Sequence, residues 1–301
     1  MSTKSFLVGA LGEAVWDDYG GKRFIGGGAA NFCIHAAAMG CRSVLFSRIG
    51  HDREGRELKE ALARRSVDTS ALQIDLFLPT PIVSVALDGK GYPHYTCPFR
   101  PTIDEIRLDS LWEETAPQLD GLYFSMRALQ GNVSSETGKR FLQLAGNAVK
   151  LFDPELRSWD PTQELKVINL LNEADILKLD LTSCGWLKIG LQSEEDEVVF
   201  LHRLIETFGF ELAALTLGEY GCYLVSRTEE VYDPGYFITQ RDASGAGDAF
   251  AAALLVKFLE GASLTETADF ANRLGAFVAS HLGAAPAWQP EDLELFAWNS
   301  L

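Results

Sequence analysis

The sequence predicts an α/β fold in which a mostly parallel sheet lies between helices. Three observations carry that prediction. Short, nearly all-apolar runs recur along the chain, longer helical patterns separate them, and glycine-rich turns stand directly before two of the helices. A strand covered on both faces has no polar side, so the runs at 6–11, 44–49, 122–126, 151–153, 176–179 and 212–217 read as core strands. Helical stretches fall near 29–40, 54–65, 134–149, 161–172 and 194–208. Ser193 with Asp196, and Ser263 with Glu266, have the spacing of capping boxes at two helix starts. The C-terminal third turns helical, near 248–260, 264–281 and 291–299.

Two regions break this rhythm. Residues 14–25 separate the first strand from the first helix, and residues 74–99 are rich in β-branched residues, glycine and proline. From Pro81 to Asp88 the pattern alternates, as in an antiparallel strand with one solvated face. Gly89-Lys90-Gly91 reads as the hairpin turn and 92–97 as the returning strand. No repeat, low-complexity tract or linker divides the chain. Residues 1–301 therefore read as a single domain with lid segments at about 14–25 and 74–99.

Composition narrows the function. A chain of 301 residues, 47% hydrophobic, can bury a substantial core. Its net charge of −16 argues against nucleic acid, which is held by basic patches, but not against ATP, which backbone N–H groups capture locally. Five cysteines with no CxxC pair read as thiols of a reducing cytoplasm. The apolar run at 6–11 is too short for a signal-peptide core, and no segment approaches the ~18 apolar residues of a membrane helix.

The most informative segment runs from Arg241 to Phe250. Gly245-Ala246-Gly247 stands before Asp248 and an apolar run free of helix breakers. Glycines let backbone N–H groups converge on one point, and a helix N-terminus adds partial positive charge there. Asp248, in the first turn, is positioned to accept a proton from a group held over it. An anion cradle beside a base suits phosphoryl transfer to a hydroxyl. Other chemistries lack their residues. Gly138-Lys139 is followed by Arg140 and lacks the first glycine of a P-loop; no Gly-x-Gly-x-x-Gly follows the first strand; no metal-ligand spacing and no nucleophile elbow occur.

Asp242-Ala243-Ser244-Gly245-Ala246-Gly247-Asp248 resembles the second signature of the ribokinase-like (PfkB) carbohydrate kinases, Asp-Thr-x-Gly-Ala-Gly-Asp. Gly26, Gly27 and Asn31 resemble the first, Gly-Gly-x-x-x-Asn; Gly27 lets a polyol approach the backbone and Asn31 offers a donor and acceptors to hydroxyls. Gly12-Glu13-Ala14-Val15-Trp16-Asp17 resembles a strand-end Gly-Glu-x-x-x-Asp whose last carboxylate accepts sugar hydroxyls, with Trp16 and Phe24 as apolar neighbours. Gly50, Asp52 and Gly55 match a Gly-x-Asp-x-x-Gly helix start, Asp52 as cap. Thr216-Leu217-Gly218-Glu219-Tyr220-Gly221 resembles the family's nucleotide turn. The likeness implies phosphate contacts at Thr216 and Gly218, an adenine pocket at Asn272, and nucleotide-side roles for Gly221 and Lys178. Asp153 to Arg157 resembles Asp-x-Asn-x-Arg, with Arg157 facing substrate or phosphates.

The resemblance, spanning 12–283, implies a three-layer ribokinase-like fold with a small β-lid, ATP as co-substrate, magnesium, and a lid-mediated homodimer. A monovalent cation is a further candidate. The details sit closest to bacterial fructokinase-like members, so fructose leads, ahead of ribose, a 2-keto-3-deoxy acid and a nucleoside. Three positions depart from the pattern. Asp180 and Ser183 stand where Asn-x-x-Glu organises the magnesium shell, Glu155 replaces Asn, and Ala29 replaces Pro. Asp180 keeps a role through a magnesium-bound water. The missing charge at Ser183 motivates the alternative, a pseudokinase that binds sugar or nucleotide without turnover. Arg100, in the lid, is a candidate partner for an acidic substrate.

Overall fold

The computed structural model describes residues 5–97 and 102–299. The chain opens with β1 (Leu7–Leu11), β2 (Val15–Asp18), β3 (Arg23–Gly26), α1 (Gly28–Ala38), β4 (Arg42–Gly50) and α2 (Arg53–Arg64). Next come β5 (Val67–Asp68), β6 (Leu72–Asp75), β7 (Ile82–Leu87), β8 (Pro93–Thr96), α3 (Ser110–Thr115), β9 (Gly121–Ser125) and α4 (Asn132–Leu144). The following stretch holds β10 (Val149–Asp153), α5 (Glu164–Asn172), β11 (Ile176–Asp180), α6 (Leu181–Gly190), α7 (Glu197–Phe208) and β12 (Leu212–Thr216). It ends with β13 (Cys222–Ser226), β14 (Glu230–Asp233), α8 (Ala246–Glu260), α9 (Leu264–Ala279) and α10 (Pro290–Asn299).

The main sheet has the order β14-β13-β12-β11-β10-β9-β1-β4-β5, with β6 also pairing onto β4. Neighbours from β5 across to β12 are parallel, whereas β13 and β14 form an antiparallel edge. The chain leaves β1 toward β4 and later returns to β1's other side as β9. Such a switch point opens a crevice beyond the carboxyl ends of the strands. Register aligns those ends: Leu11 pairs with Phe46 and Phe124, Asp153 with Ser125, and Asp180 with Thr216.

Alternation along the strands sends side chains to two cores. Val8, Ala10, Tyr123 and Leu151 join α1, α8 and α9 on one face; Leu11, Leu122, Phe124 and Phe152 pack with α3, α4, α5 and α7 on the other. Each fully buried Leu or Phe stabilises by roughly 1.5–3 kcal/mol relative to exposure. α8 is buried continuously from Ala249 to Val256, and α1 from Ala29 to His35 and Ala36, so neither shows a polar stripe. Small residues let α1 approach closely: a Cβ on Gly12 would sit 2.8 Å from that of Ala29.

The second sheet has the order β3-β2-β7-β8 and joins the two segments that broke the rhythm of the sequence. Its β7–β8 hairpin turns at Asp88, whose carboxylate accepts the N–H groups of Lys90 and Tyr92 at 2.8 and 2.9 Å. Residues 98 and 99 of the expected lid range, and Arg100, lie outside the described residues. Asp52 caps α2 as expected, accepting Gly55 N–H at 2.8 Å, and the Ser263–Glu266 capping box forms. Ser193 does not cap; Asp196 caps α7 instead, accepting Val198 N–H at 3.0 Å, because the helix starts three residues later than the box spacing required. The sequence reading also missed α3, α6, β13 and β14. The strands β13 and β14 run antiparallel at the sheet edge; β14 has only exposed and half-buried residues and gives no apolar run, whereas β13 buries Cys222, Leu224 and Val225 but is only five residues long.

Candidate active site

The crevice is built from strand ends and two helix N-termini. Gly245 caps α8 at φ 74, and a Cβ there would lie 2.1 Å from the carbonyl oxygen of Ala284, so the turn admits only glycine without rearrangement. Asp242 fixes the loop ahead of it. Fully buried, it accepts the N–H groups of Ser244 at 2.9 Å and Gly283 at 2.8 Å, and the hydroxyl of Tyr19 at 2.7 Å. Gly245, Ala246 and Gly247 thus open the helix, where the first N–H groups lie outside the i−4 ladder; that of Ala246 reaches the Ala243 carbonyl at 3.3 Å.

Asp248 lies in the first turn of α8, and Asn31 on α1 donates to its Oδ2 at 2.8 Å. Residues separated by 217 positions thus meet in one pocket. Burial pushes the Asp248 carboxyl above the usual range, while the Asn31 hydrogen bond and the Lys178 charge pull it back. Lys178, from β11, lies below the cradle: its Nζ would be 3.4 Å from a Cβ on Gly247. It forms a buried ion pair with Asp153 at the end of β10. Burial opposes the Lys178 charge, but the Asp153 contact prevails and holds its pKa above the ordinary lysine value.

Asp17 closes the pocket from β2. It is buried, and its Oδ2 would lie 2.2 Å from a Cβ on Gly26. Burial, then the nearby Asp248, Asp242 and Glu13, push it up to about 7. Gly27 caps α1 at φ 93, where a Cβ would lie 2.4 Å from the Glu13 carbonyl oxygen. Trp16 and Phe24 are spent on packing contacts: Trp16 Nε1 donates to the Glu54 carbonyl at 2.9 Å, and Phe24 covers Gly283.

The nucleotide-side candidates sit at the ends of β11 to β14. Thr216 Oγ1 donates to the Leu179 carbonyl at 3.3 Å, Gly218 has φ 64 and Gly221 φ 79. A Cβ on Gly221 would lie 1.9 Å from the Asp233 carbonyl oxygen. Asn272, on α9, donates to Asp233 Oδ1 at 2.6 Å and so pins the end of β14. Arg157 stands apart from the Asp17–Asn31–Asp248 group; largely exposed, it contacts Asp180 at 3.4 Å. Asp180 caps α6, accepting Ser183 N–H at 2.6 Å, and Ser183 itself is fully buried.

Sequence reasoning overlooked part of the pocket wall. Arg127, just past β9, donates to Glu13 at 2.8 Å. Tyr123 comes from β9, while the hydroxyls of Tyr19, just past β2, and Tyr95, in β8, each lie 3.1 Å from Ser244 Oγ. The only signal for Arg127 was a polar residue at the end of an apolar strand.

A pfkB family carbohydrate kinase profile matches residues 12–291. The fructokinase of Klebsiella pneumoniae is 30% identical over 262 residues, covering 82% of this chain and 83% of its own. Fructokinase-1 of Oryza sativa is 29% identical over 281 residues, covering 88% and 85%. A double mutant of the fructokinase of Vibrio cholerae, solved with fructose, ADP and potassium, superposes with a TM-score of 0.82 at 25% identity, covering 98% and 99%. The 2-dehydro-3-deoxygluconokinase of Thermotoga maritima reaches 0.88 at 17% identity, covering 98% and 99%, which speaks for the fold. Among the described residues, no helix is long and apolar enough to cross a membrane.

Proposed function

The chain belongs to the PfkB family of carbohydrate kinases, and from that premise we propose that it transfers the γ-phosphoryl group of ATP to a sugar hydroxyl, with fructose the leading acceptor. The observation that carries this reading is the 2.8 Å contact between Asn31 and Asp248, which joins the two glycine-rich helix starts in one buried pocket. Asp17, Gly27 and Asn31 orient the sugar. Asp248 accepts the hydroxyl proton as the new O–P bond forms and the bond to ADP breaks. The N–H groups of Gly245, Ala246 and Gly247 take the charge that develops on the transferring group. One such donor in a comparable anion hole is worth ~3–4 kcal/mol, and Lys178 adds positive charge beneath them. Thr216, Gly218, Gly221 and Asn272 form the nucleotide side, and Arg157 approaches it beside Asp180.

Magnesium bound to nucleotide is held by phosphates, waters and one or two carboxylates. Asp180 fits that use: its Oδ1 is engaged by Ser183, and the side chain is about one third exposed, 34%. When bound, the ion would neutralise phosphate charge. Potassium is a candidate for a monovalent site, given the Vibrio cholerae complex. A homodimer through the small sheet, and a cytoplasmic location where ATP is supplied, complete the reading.

The test is ADP release with Mg-ATP across fructose, ribose, tagatose, 2-keto-3-deoxygluconate, inositol and adenosine. Asp248→Asn should lose at least ~100-fold in kcat with ATP affinity changed only a few-fold. Equal turnover in the two proteins would remove Asp248 as the base. Silence across the panel, with sugar still raising Tm, would favour a binding protein.

A further inference from the structure

Glu155 stands on the wall of the acceptor pocket. It follows β10 with φ 49, a left-handed conformation that strains a long side chain and that Asn adopts more readily. Three polar atoms from three elements converge above Gly28. A Cβ built on that glycine would lie 3.1 Å from Asp248 Oδ1, 3.2 Å from Tyr123 Oη and 3.5 Å from Glu155 Oε1. Tyr123 Oη and Asn31 Oδ1 are both buried and have no hydrogen-bond partner among the described residues. Such groups suit a ligand that offers hydroxyls.

The charge around that point is negative. Glu13, Asp17, Glu155 and Asp248 crowd together, and among the described residues the cations Arg127 and Lys178 are already engaged: Arg127 pairs with Glu13 at 2.8 Å and Lys178 with Asp153. A second anion brought here would meet like charges in a poorly solvated pocket.

We propose that Glu155 sets the substrate class of this kinase: its carboxylate accepts a hydroxyl of an uncharged sugar and excludes sugar acids. This deepens the kinase reading and rests on it for the identity of the pocket. The crowding also makes the effect titratable. Burial, then Asp153 and Asp248, push Glu155 up to about 8, with Arg127 pulling the other way and Glu13 adding to the rise. The filter is therefore strongest in mildly alkaline solution and weakens as pH falls.

The experiment compares the neutral sugar best turned over in the panel with 2-keto-3-deoxygluconate, in wild type, Glu155→Gln and Glu155→Asn, at pH 8.5 and 6.5. Two readouts are taken: the ratio of kcat/KM values, and the shift in Tm that each sugar induces without nucleotide. Wild type at pH 8.5 should favour the neutral sugar by at least ~100-fold, mostly through KM. Either variant should narrow that ratio by at least ~10-fold and gain a Tm response to the sugar acid. Lowering the pH should narrow the ratio more in wild type than in either variant, where Asp17 still titrates in this range but Glu155 does not. Asn suits the left-handed backbone, so Glu155→Asn keeps the comparison available if Glu155→Gln folds poorly; Tm without ligand reports this. A ratio within twofold of wild type in both variants, or a wild type that prefers the sugar acid, overturns the inference and leaves the kinase reading standing. Turnover of no sugar, with the Tm discrimination intact, overturns the kinase reading instead.

Discussion

Asp17 and Asp248 are carboxylates in one buried pocket, yet their surroundings give them different work. Asp248 has an amide donor at 2.8 Å and stands at a helix N-terminus above Lys178. Asp17 is pushed up to about 7 by burial and by the other acids it faces. The folded state therefore holds a proton on Asp17 between its unfolded value near 4 and about 7. Folding stability should fall as pH rises through that window and level off above it. Asp17→Asn removes this contribution, so its ligand-free Tm should exceed that of wild type by more at pH 8 than at pH 5; an equal difference at both would refute the shift. Wild-type kcat/KM for sugar should fall as pH drops through about 7, and Asp17→Ala should raise sugar KM more than ATP KM. Asp248 was legible in the sequence because a glycine-rich turn before an apolar run admits few structures. Arg127 and Tyr123 were not, since a residue at the end of a strand carries no local mark of what lies across the crevice.

At the level of elements, the proposed chemistry rests on the start of α8, while its end bears only on stability. Gly245 and Gly261 cap the same helix at φ 74 and 72. A Cβ on Gly245 would collide with the Ala284 carbonyl oxygen, whereas one on Gly261 meets nothing within 4 Å. Gly261→Ala should cost about 1 kcal/mol of stability and leave kcat unchanged. Gly245→Ala should cost ~1–3 kcal/mol and lower kcat at least ~10-fold by displacing the donors of the cradle. Urea unfolding and steady-state kinetics of the pair separate strain from catalysis; matching losses of kcat would refute the distinction. The central strands, α1, α2, α8 and α9 were readable from runs and caps. α6 was missed because Leu181–Gly190 follows β11 without a break and the sequence offers no strong stop between them.

Across the whole molecule, a net charge of −16 surrounds the proposed site for an anionic nucleotide. Raising salt from about 10 to about 150 mM shortens the Debye length from about 30 to about 8 Å. KM for Mg-ATP should then fall a few-fold while KM for a neutral sugar stays constant; parallel movement of both would point to a general salt effect. The sequence by itself determined the layered α/β class, the two glycine-rich helix starts and Asp248, because apolar period and backbone freedom are local properties. The convergence of Asn31, Asp17 and Glu155 on Asp248 was decided only by the tertiary structure. Those residues come from four separate elements or strand ends, and the distances between them depend on parallel register and on α1 packing against α8. The charge of the pocket is likewise a property of assembly: each acid is ordinary in the sequence, and crowding in a buried crevice is what makes it selective.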